Sequence, residues 1–355
     1  MAIVFMDSFD HSSSAFPKWD YANNTNMQAG RFGNAVRLRG VGGSTIGLSK
    51  SNLSIGSSGT LGFGFYDEPT GMNTGNRQAI IREGSTEHLY LANETIYPIR
   101  LSVYRGDGTK LGTGTITFPK SAWVHIELTY TIGDAPNGSF ELRINGVLSC
   151  SGSGIDTRNG GSSGVSDGVA FVSPNWDGSW GSLLDDVYVA SGATPLGDLR
   201  VQYLAPTGPG VRTQFTPSTG ANWSTVDDAT PADGDYNQSN VVSAMDLFSM
   251  PDIGNYVVQG VQTVLRHKKD DAGFRTIQPV LYRADVDDGG TPPSSTPRWY
   301  RGTQVSAYDT FVGSTQMLAT SPLSGLSWTR DEINALQFGY AVGEASMFTL
   351  DAKVV

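Results

Sequence analysis

Charged residues make up only 16% of the chain, so the Glu and Lys that long helices take in quantity are scarce, and the composition points to a helix-poor, turn-rich protein. Cysteine is almost absent. A single residue, Cys150, excludes an intrachain disulfide framework and a Cys-based zinc site, and its ordinary reading is a small apolar filler in a strand. No apolar run approaches the roughly 18 residues that span a bilayer, and Met1–Phe5 is too short for a signal-peptide core. The expected product is therefore soluble and made in the cytoplasm. Basic residues cluster only at Arg266, His267, Lys268 and Lys269. With a formal charge of −10, this disfavours electrostatic adhesion to nucleic acid or to anionic lipid.

What the chain does have is glycine, 44 residues of it, set in turns between short alternating segments. Such alternation marks strands with two differently covered faces. Residues 123–130 show it best, with Val124, Ile126, Leu128 and Tyr130 toward a core and Trp123, His125, Glu127 and Thr129 away from it. Phe140, Leu142 and Ile144 repeat the pattern after a turn at 133–138, which predicts an antiparallel hairpin, and Asn145-Gly146 turns the chain into a third strand. Further strands are expected at 35–39, 60–66, 78–82, 88–92, 99–104, 112–118, 169–172 and 183–189, with a long surface loop at 151–168. So many short strands require two packed sheets.

The chain is long for one sandwich and comfortable for two. The fold class is accordingly all-β, with a first β-sandwich over 1–192, a linker at 193–198 and a second, smaller β-sandwich over 199–355. A strand is expected to open the second domain at 199–204. Residues 206–256 then read as an irregular segment that wraps a surface or a neighbouring subunit. Strands resume at 257–267, 276–282, 298–306, 316–319, 337–341 and 345–355. One short helix is marked by Thr329 and Glu332, the spacing of a capping box.

Four runs in the first half, FMDSFD at 5–10, GRFGNAVRL at 30–38, WVH at 123–125 before Asn145-Gly146, and LDDVYV at 184–189, together resemble the laminin-G-like or concanavalin-like jelly roll. The second half is similar to a structural module of tailed-bacteriophage virion proteins. That likeness rests on LRV at 199–201 with Pro206, TPSTG at 216–220, NWSTVDD at 222–228, Asp235-Tyr236 and WTRDEINAL at 328–336. The resemblance implies a place on a particle, as a capsid-decorating or tail-associated component, rather than a reaction.

Concanavalin-like folds also include glucanases, whose retaining members set two carboxylates on one strand at Glu-x-Asp-x-Glu spacing. No such triplet occurs here. Glu127 and Glu141, near Arg143 and His125, are the nearest substitutes, and a charge-paired sheet surface accounts for them as well. Asp285, Asp287, Asp288 and Gly289 suggest a calcium loop, but the Gly comes one place early for an EF-hand and position twelve is Thr296. The pairs Asp185 and Asp186, Asp227 and Asp228, and Asp233 and Asp235 suit turns as readily as calcium. Calcium is thus the one ion with any support, and no catalytic or metal-ligand set is assigned.

Carbohydrate binding is the sharpest chemical expectation. Lectin sites combine loop aromatics with Asp and Asn acceptors, and Asn175, Trp176, Asp177 and Trp180 supply both on what reads as a loop before the last strand of the first domain. Trp223 and Trp299 read instead as core or interface anchors. The sequence therefore describes a non-enzymatic virion-surface structural protein, possessing at most a host-glycan site and partnered by other virion proteins and by itself, a trimer being expected. A receptor-binding tail fibre recognising a bacterial glycan is the alternative, and a glycoside hydrolase the third.

Overall fold

A computed structural model describes residues 1–11, 18–41, 45–68, 74–160, 163–173, 177–228, 231–283, 299–343 and 352–354. The chain divides into two compact units, Met1–Asp10 with Ser14–Gln202, and His11–Ser13 with Tyr203–Val355. Among the described residues no helix is long and apolar enough to cross a membrane.

Unit 1 is built from β1 (Ala2–Asp7), β2 (Tyr21–Ala22), β3 (Thr25–Ala29), β4 (Asn34–Val41), β5 (Thr45–Lys50), β6 (Ser58–Asp67), β7 (Arg77–Glu83), β8 (Thr86–Ile96), β9 (Ile99–Arg105), β10 (Lys110–Phe118), β11 (Val124–Thr131), β12 (Gly138–Ile144), β13 (Val147–Ile155), β14 (Gly168–Ser173) and β15 (Asp177–Ser191). They form two antiparallel sheets. The first runs β13-β12-β11-β6-β15-β4-β3 with β1 also on β15, and the second runs β10-β9-β8-β7-β14-β5-β2. Inward residues of both sheets make one core. Phe63 of the first sheet meets Phe171 of the second edge-on, ring centroids 5.1 Å apart, and Leu61, Leu89, Leu101, Ile126 and Val189 are fully buried around them. Each such side chain contributes about 1.5–3 kcal/mol. This is the two-sheet β-sandwich that the alternating segments predict.

The expected hairpin of β11 and β12 forms, with Ile126 opposite Ile144 and Tyr130 opposite Phe140. Asn145 and Gly146 both take positive φ, 49° and 79°, the conformation of a two-residue type I′ hairpin turn. The middle of the first sheet's outer face is covered, with His125, Glu127 and Thr129 all buried. Tyr188 lies flat over β6, where a Cβ on Gly62 would fall 2.0 Å from its ring, so glycine is what lets the ring settle.

Residues 193–202 fasten onto this face, so the linker expected at 193–198 is not a free connector and the strand expected at 199–204 does not form. Within the expected strand the Val201 amide is taken by the Asp186 carboxylate, and just before it the Leu196 and Gly197 amides are taken by Glu127. The loop expected at 151–168 begins as the end of β13.

Unit 2 contains β16 (Gly208–Thr213), β17 (Thr216–Pro217), β18 (Asn237–Ser239), β19 (Met245–Ser249), β20 (Val261–Lys269), β21 (Thr276–Arg283), β22 (Trp299–Arg301), β23 (Val305–Ser306), β24 (Val312–Leu318), β25 (Leu336–Val342) and β26 (Ala352–Val354). One sheet runs β16-β19-β25-β21-β22 with β23 on β21, and the other runs β17-β18-β26-β20-β24. Leu265 of the second sheet packs with Phe248, Ile277, Tyr340 and Val342 of the first. The segment 206–256, expected to be irregular, thus supplies β16 and β19 to a sheet. The short helix α1 (Arg330–Asn334) starts where the capping spacing places it, Thr329 Oγ1 accepting from the Glu332 amide at 3.1 Å. Glu332 does not complete the reciprocal bond; its carboxylate accepts from the Ser321 hydroxyl.

Candidate functional site

On β7, β8 and β9, Ala79, Ile81, Leu89, Leu91, Leu101 and Val103 point into the core. The alternate positions Ile80, Tyr90, Ala92 and Tyr104 therefore face outward, where they join Ala170, Val172 and Ile46 in a second apolar layer on the back of the sheet. Register aligns the outward residues of neighbouring strands: Tyr90 lies opposite Tyr104, and Tyr104 opposite Lys110.

The result is a ladder across four strands. The rings of Tyr90 and Tyr104 are parallel, 5° apart with centroids at 5.1 Å. The Arg77 guanidinium sits 4.1 Å from the Tyr90 centroid at one end, and the Lys110 ammonium 5.5 Å from the Tyr104 centroid at the other. Each cation has its own acid, Glu87 at 2.5 Å from Arg77 and Glu94 at 2.5 Å from Lys110. The Tyr104 hydroxyl donates to Glu94 as well. Hydrogen bonds from Lys110 and then Tyr104 hold the Glu94 carboxyl below its usual range, while burial and the bond to Glu94 raise Tyr104. The row holds two phenols, two cations and two carboxylates: a mixed donor and acceptor strip along two stacked rings, Tyr90 buried and Tyr104 partly exposed. Polyols are recognised by that combination.

None of these residues was singled out by sequence reasoning. The alternating outward positions at 90, 92, 100, 102 and 104 carried the only available signal, because pairing of Arg77 with Tyr90, and of Tyr104 with Lys110, depends on strand register.

Of the residues expected to bind glycan, Asn175 and Trp176 lie outside the described residues. Asp177 and Trp180 belong to β15 as backbone, Asp177 opposite Val41, while their side chains also lie outside the described residues. The expected loop is thus strand from Asp177 onward, since β4 continues far enough to pair it. The calcium segment at Asp285–Gly289 is likewise outside the described residues. Among the described residues no three His, Cys, Asp or Glu side chains are grouped to hold a metal. Asp185 accepts from the Arg31 amide at 2.7 Å, Asp233 pairs with Arg266 at 2.7 Å, and Asp235 accepts from the Ser218 hydroxyl at 3.2 Å. Trp223 does pack against the unit 2 core, but Trp299 is 37% exposed.

The two glutamates weighed as an acid pair are separated. Glu127 lies opposite Arg143, and Glu141 opposite Thr129 and bonded to Arg143. Glu127 is buried, accepting from the Leu196 and Gly197 amides at 2.6 and 3.0 Å and from the Tyr188 hydroxyl at 2.8 Å. Nearby, burial raises Asp185 to about 6 and Asp186 to about 7, the second helped by its neighbour's charge. Both lie above the ordinary 3.8, so the folded state binds protons that the unfolded chain has already released, and stability rises as pH falls through 7. His125, which burial holds below 6.5, opposes the acids only under that value. Calorimetry between pH 8 and 6.5 should therefore show the unit 1 Tm rising as pH falls. Asp186→Asn should lessen the rise, leaving the part due to Asp185 and to Asp67, which burial also raises to about 7, and should lift Tm at pH 8; a Tm falling over that window contradicts the assignment.

No family model and no curated sequence matches the chain. Among solved structures, it is similar to an endo-β-1,4-glucuronan lyase from the fungus Trichoderma reesei at 13% identity and a TM-score of 0.38, covering 50% of this chain and 92% of that one. It is also similar to domain 4 of AbnA, an extracellular arabinanase from Geobacillus stearothermophilus solved with arabinotriose, at 15% identity and TM-score 0.39, covering 55% and 94%. The carbohydrate recognition domain of Emp46p follows at 12% and 0.34, covering 52% and 98%.

Proposed function

We propose that the protein is a non-enzymatic glycan-binding surface protein, and that unit 1 holds its ligand along the Arg77, Tyr90, Tyr104 and Lys110 ladder. The observation that carries this reading is the aromatic pair framed by cations that are already neutralised. A strip with no net charge but many donors and acceptors suits a neutral polyhydroxylated chain, and the partly exposed edge of Tyr104 offers it apolar contact. Catalysis is not part of the proposal, since Glu87 and Glu94 are each committed to a cation across the sheet. A glycan array probed with the full chain is the test. Binding to a neutral glycan is expected, with affinity reduced roughly tenfold by Tyr104→Ala and largely kept by Tyr104→Phe. A blank array, or binding untouched by Tyr104→Ala, ends this assignment. Release of reducing ends from a bound glycan would move the protein to the hydrolase reading.

A second reading concerns where the protein acts. The likeness of the runs at 199–236 and 328–336 to a virion module favours a bacteriophage particle, decorating the capsid or associated with the tail, in symmetric copies. Immunogold labelling of purified particles checks it: label on the particle is expected, and label only in the unassembled fraction would sink it.

A further inference from the structure

Unit 2 contains a cavity of about 380 Å³ lined, among the described residues, by Arg212, Gln214, Ser243, Met245, Trp299 and Arg301. Its residues come from β16, β19, β22 and the turns beside them. On β21, Val280 lies opposite Arg301 and Tyr282 opposite Trp299, so Trp299 and Arg301 stand two residues apart on one sheet face. That face carries its own apolar cluster of Met245, Leu247, Val280, Tyr282 and Ala341. Tyr282 backs Trp299 with ring centroids 4.4 Å apart, which holds the indole at the rim.

Charge makes the cavity unusual for this chain. The net charge is −10, and in unit 2 the arginines at 266, 275, 283 and 330 each have an acid, Asp233, Asp271, Glu332 and Asp331. Arg212 and Arg301 have none among the described residues, and no acid lines the cavity there. Two exposed guanidiniums lining one space would both attract an anion seated between them. Gln214 is fixed by its Oε1, which accepts from the Met245 amide at 3.0 Å, leaving its amide nitrogen to donate. Ser243 is held at a φ of 63°, a left-handed conformation that a serine takes at a cost.

We propose that this cavity binds a carboxylated pyranose. The two guanidiniums take the carboxylate, Trp299 lies against an apolar ring face, and Gln214 and Ser243 serve hydroxyls. Arginine's forked donors match a carboxylate, and an indole matches the C–H face of a sugar ring. The site is separate from the tyrosine ladder and takes the opposite class of glycan.

Calorimetric titration of the full chain with glucuronate, N-acetylneuraminate, glucose and inorganic phosphate tests it. Saturable binding of at least one of the two acidic sugars is expected, and which one binds names the source. Arg301→Gln and Arg212→Gln should each weaken it roughly tenfold while leaving Tm unchanged. Tyr104→Ala should leave it intact, so failure of the ladder reading and failure of this one are told apart. Absence of binding by both acids, equal binding of glucose, competition by phosphate as strong as by the sugar acid, or indifference to both arginine substitutions would overturn the proposal.

Discussion

Glu127→Ala should cost unit 1 about 3 kcal/mol, because it removes one buried acceptor from three donors at once. The Leu196 and Gly197 amides and the Tyr188 hydroxyl all end on Glu127 Oε1, and the residue is 1% exposed, so water cannot readily replace it. Loss of the acceptor also loosens the segment that brings Asp198 to Arg31 and Val201 to Asp186. Glu127→Gln keeps a carbonyl oxygen in place and should cost much less. Urea unfolding reads the stability, and amide exchange at Leu196 and Gly197 reads the cause. Unchanged protection at those two amides in Glu127→Ala would mean that the segment is held by something else.

Asp246→Ala should be comparably severe in unit 2, again about 3 kcal/mol. Asp246 is fully buried on β19 and accepts from the Gln214 and Phe215 amides at 2.6 and 2.9 Å and from the Asn222 side chain at 2.6 Å. It thereby ties the end of β16 and the 3-10 turn Asn222–Thr225 to the sheet, and it sets Phe215 against Tyr340, ring centroids 5.0 Å apart. The unit 2 transition should move to lower temperature while that of unit 1 stays. Asp246→Asn, which keeps one acceptor but points donors at Asn222, should fall between the two. A unit 2 transition at the wild-type temperature in Asp246→Ala would show that the three bonds are dispensable.

Both acids show where reading the sequence stops. Alternation at 123–130 placed β11, its inward face and its hairpin with β12, because side-chain period alone decides which residues meet the core. It could not tell that the other face is covered too, since the covering segment lies some seventy positions away and makes its bonds through backbone amides, which leave no mark in the residue pattern. β16 and β19 looked irregular because neither alternates. The edge strand β16 is mostly solvated and carries no apolar period, and β19 is buried along Met245–Phe248 without alternation. Legibility was poorest at the candidate sites. Trp299 read as an anchor because a lone tryptophan gives no hint that two arginines 89 positions apart, Arg212 and Arg301, would be folded beside it; only strand order brings them to one cavity.

The position of β15 has a consequence for how unit 1 is made. This last strand lies inside its sheet, with β6 on one side and β4 and β1 on the other, Ala2 opposite Ser191. Until it emerges from the ribosome, β6 and β4 face a gap one strand wide, and no local hairpin can fill it. Closure must therefore wait for nearly the whole unit, and contacts of such long sequence separation make for slow folding. Any shortened version ending before Asp177 is missing a middle strand, so it leaves two open strand edges where the intact unit has a continuous sheet.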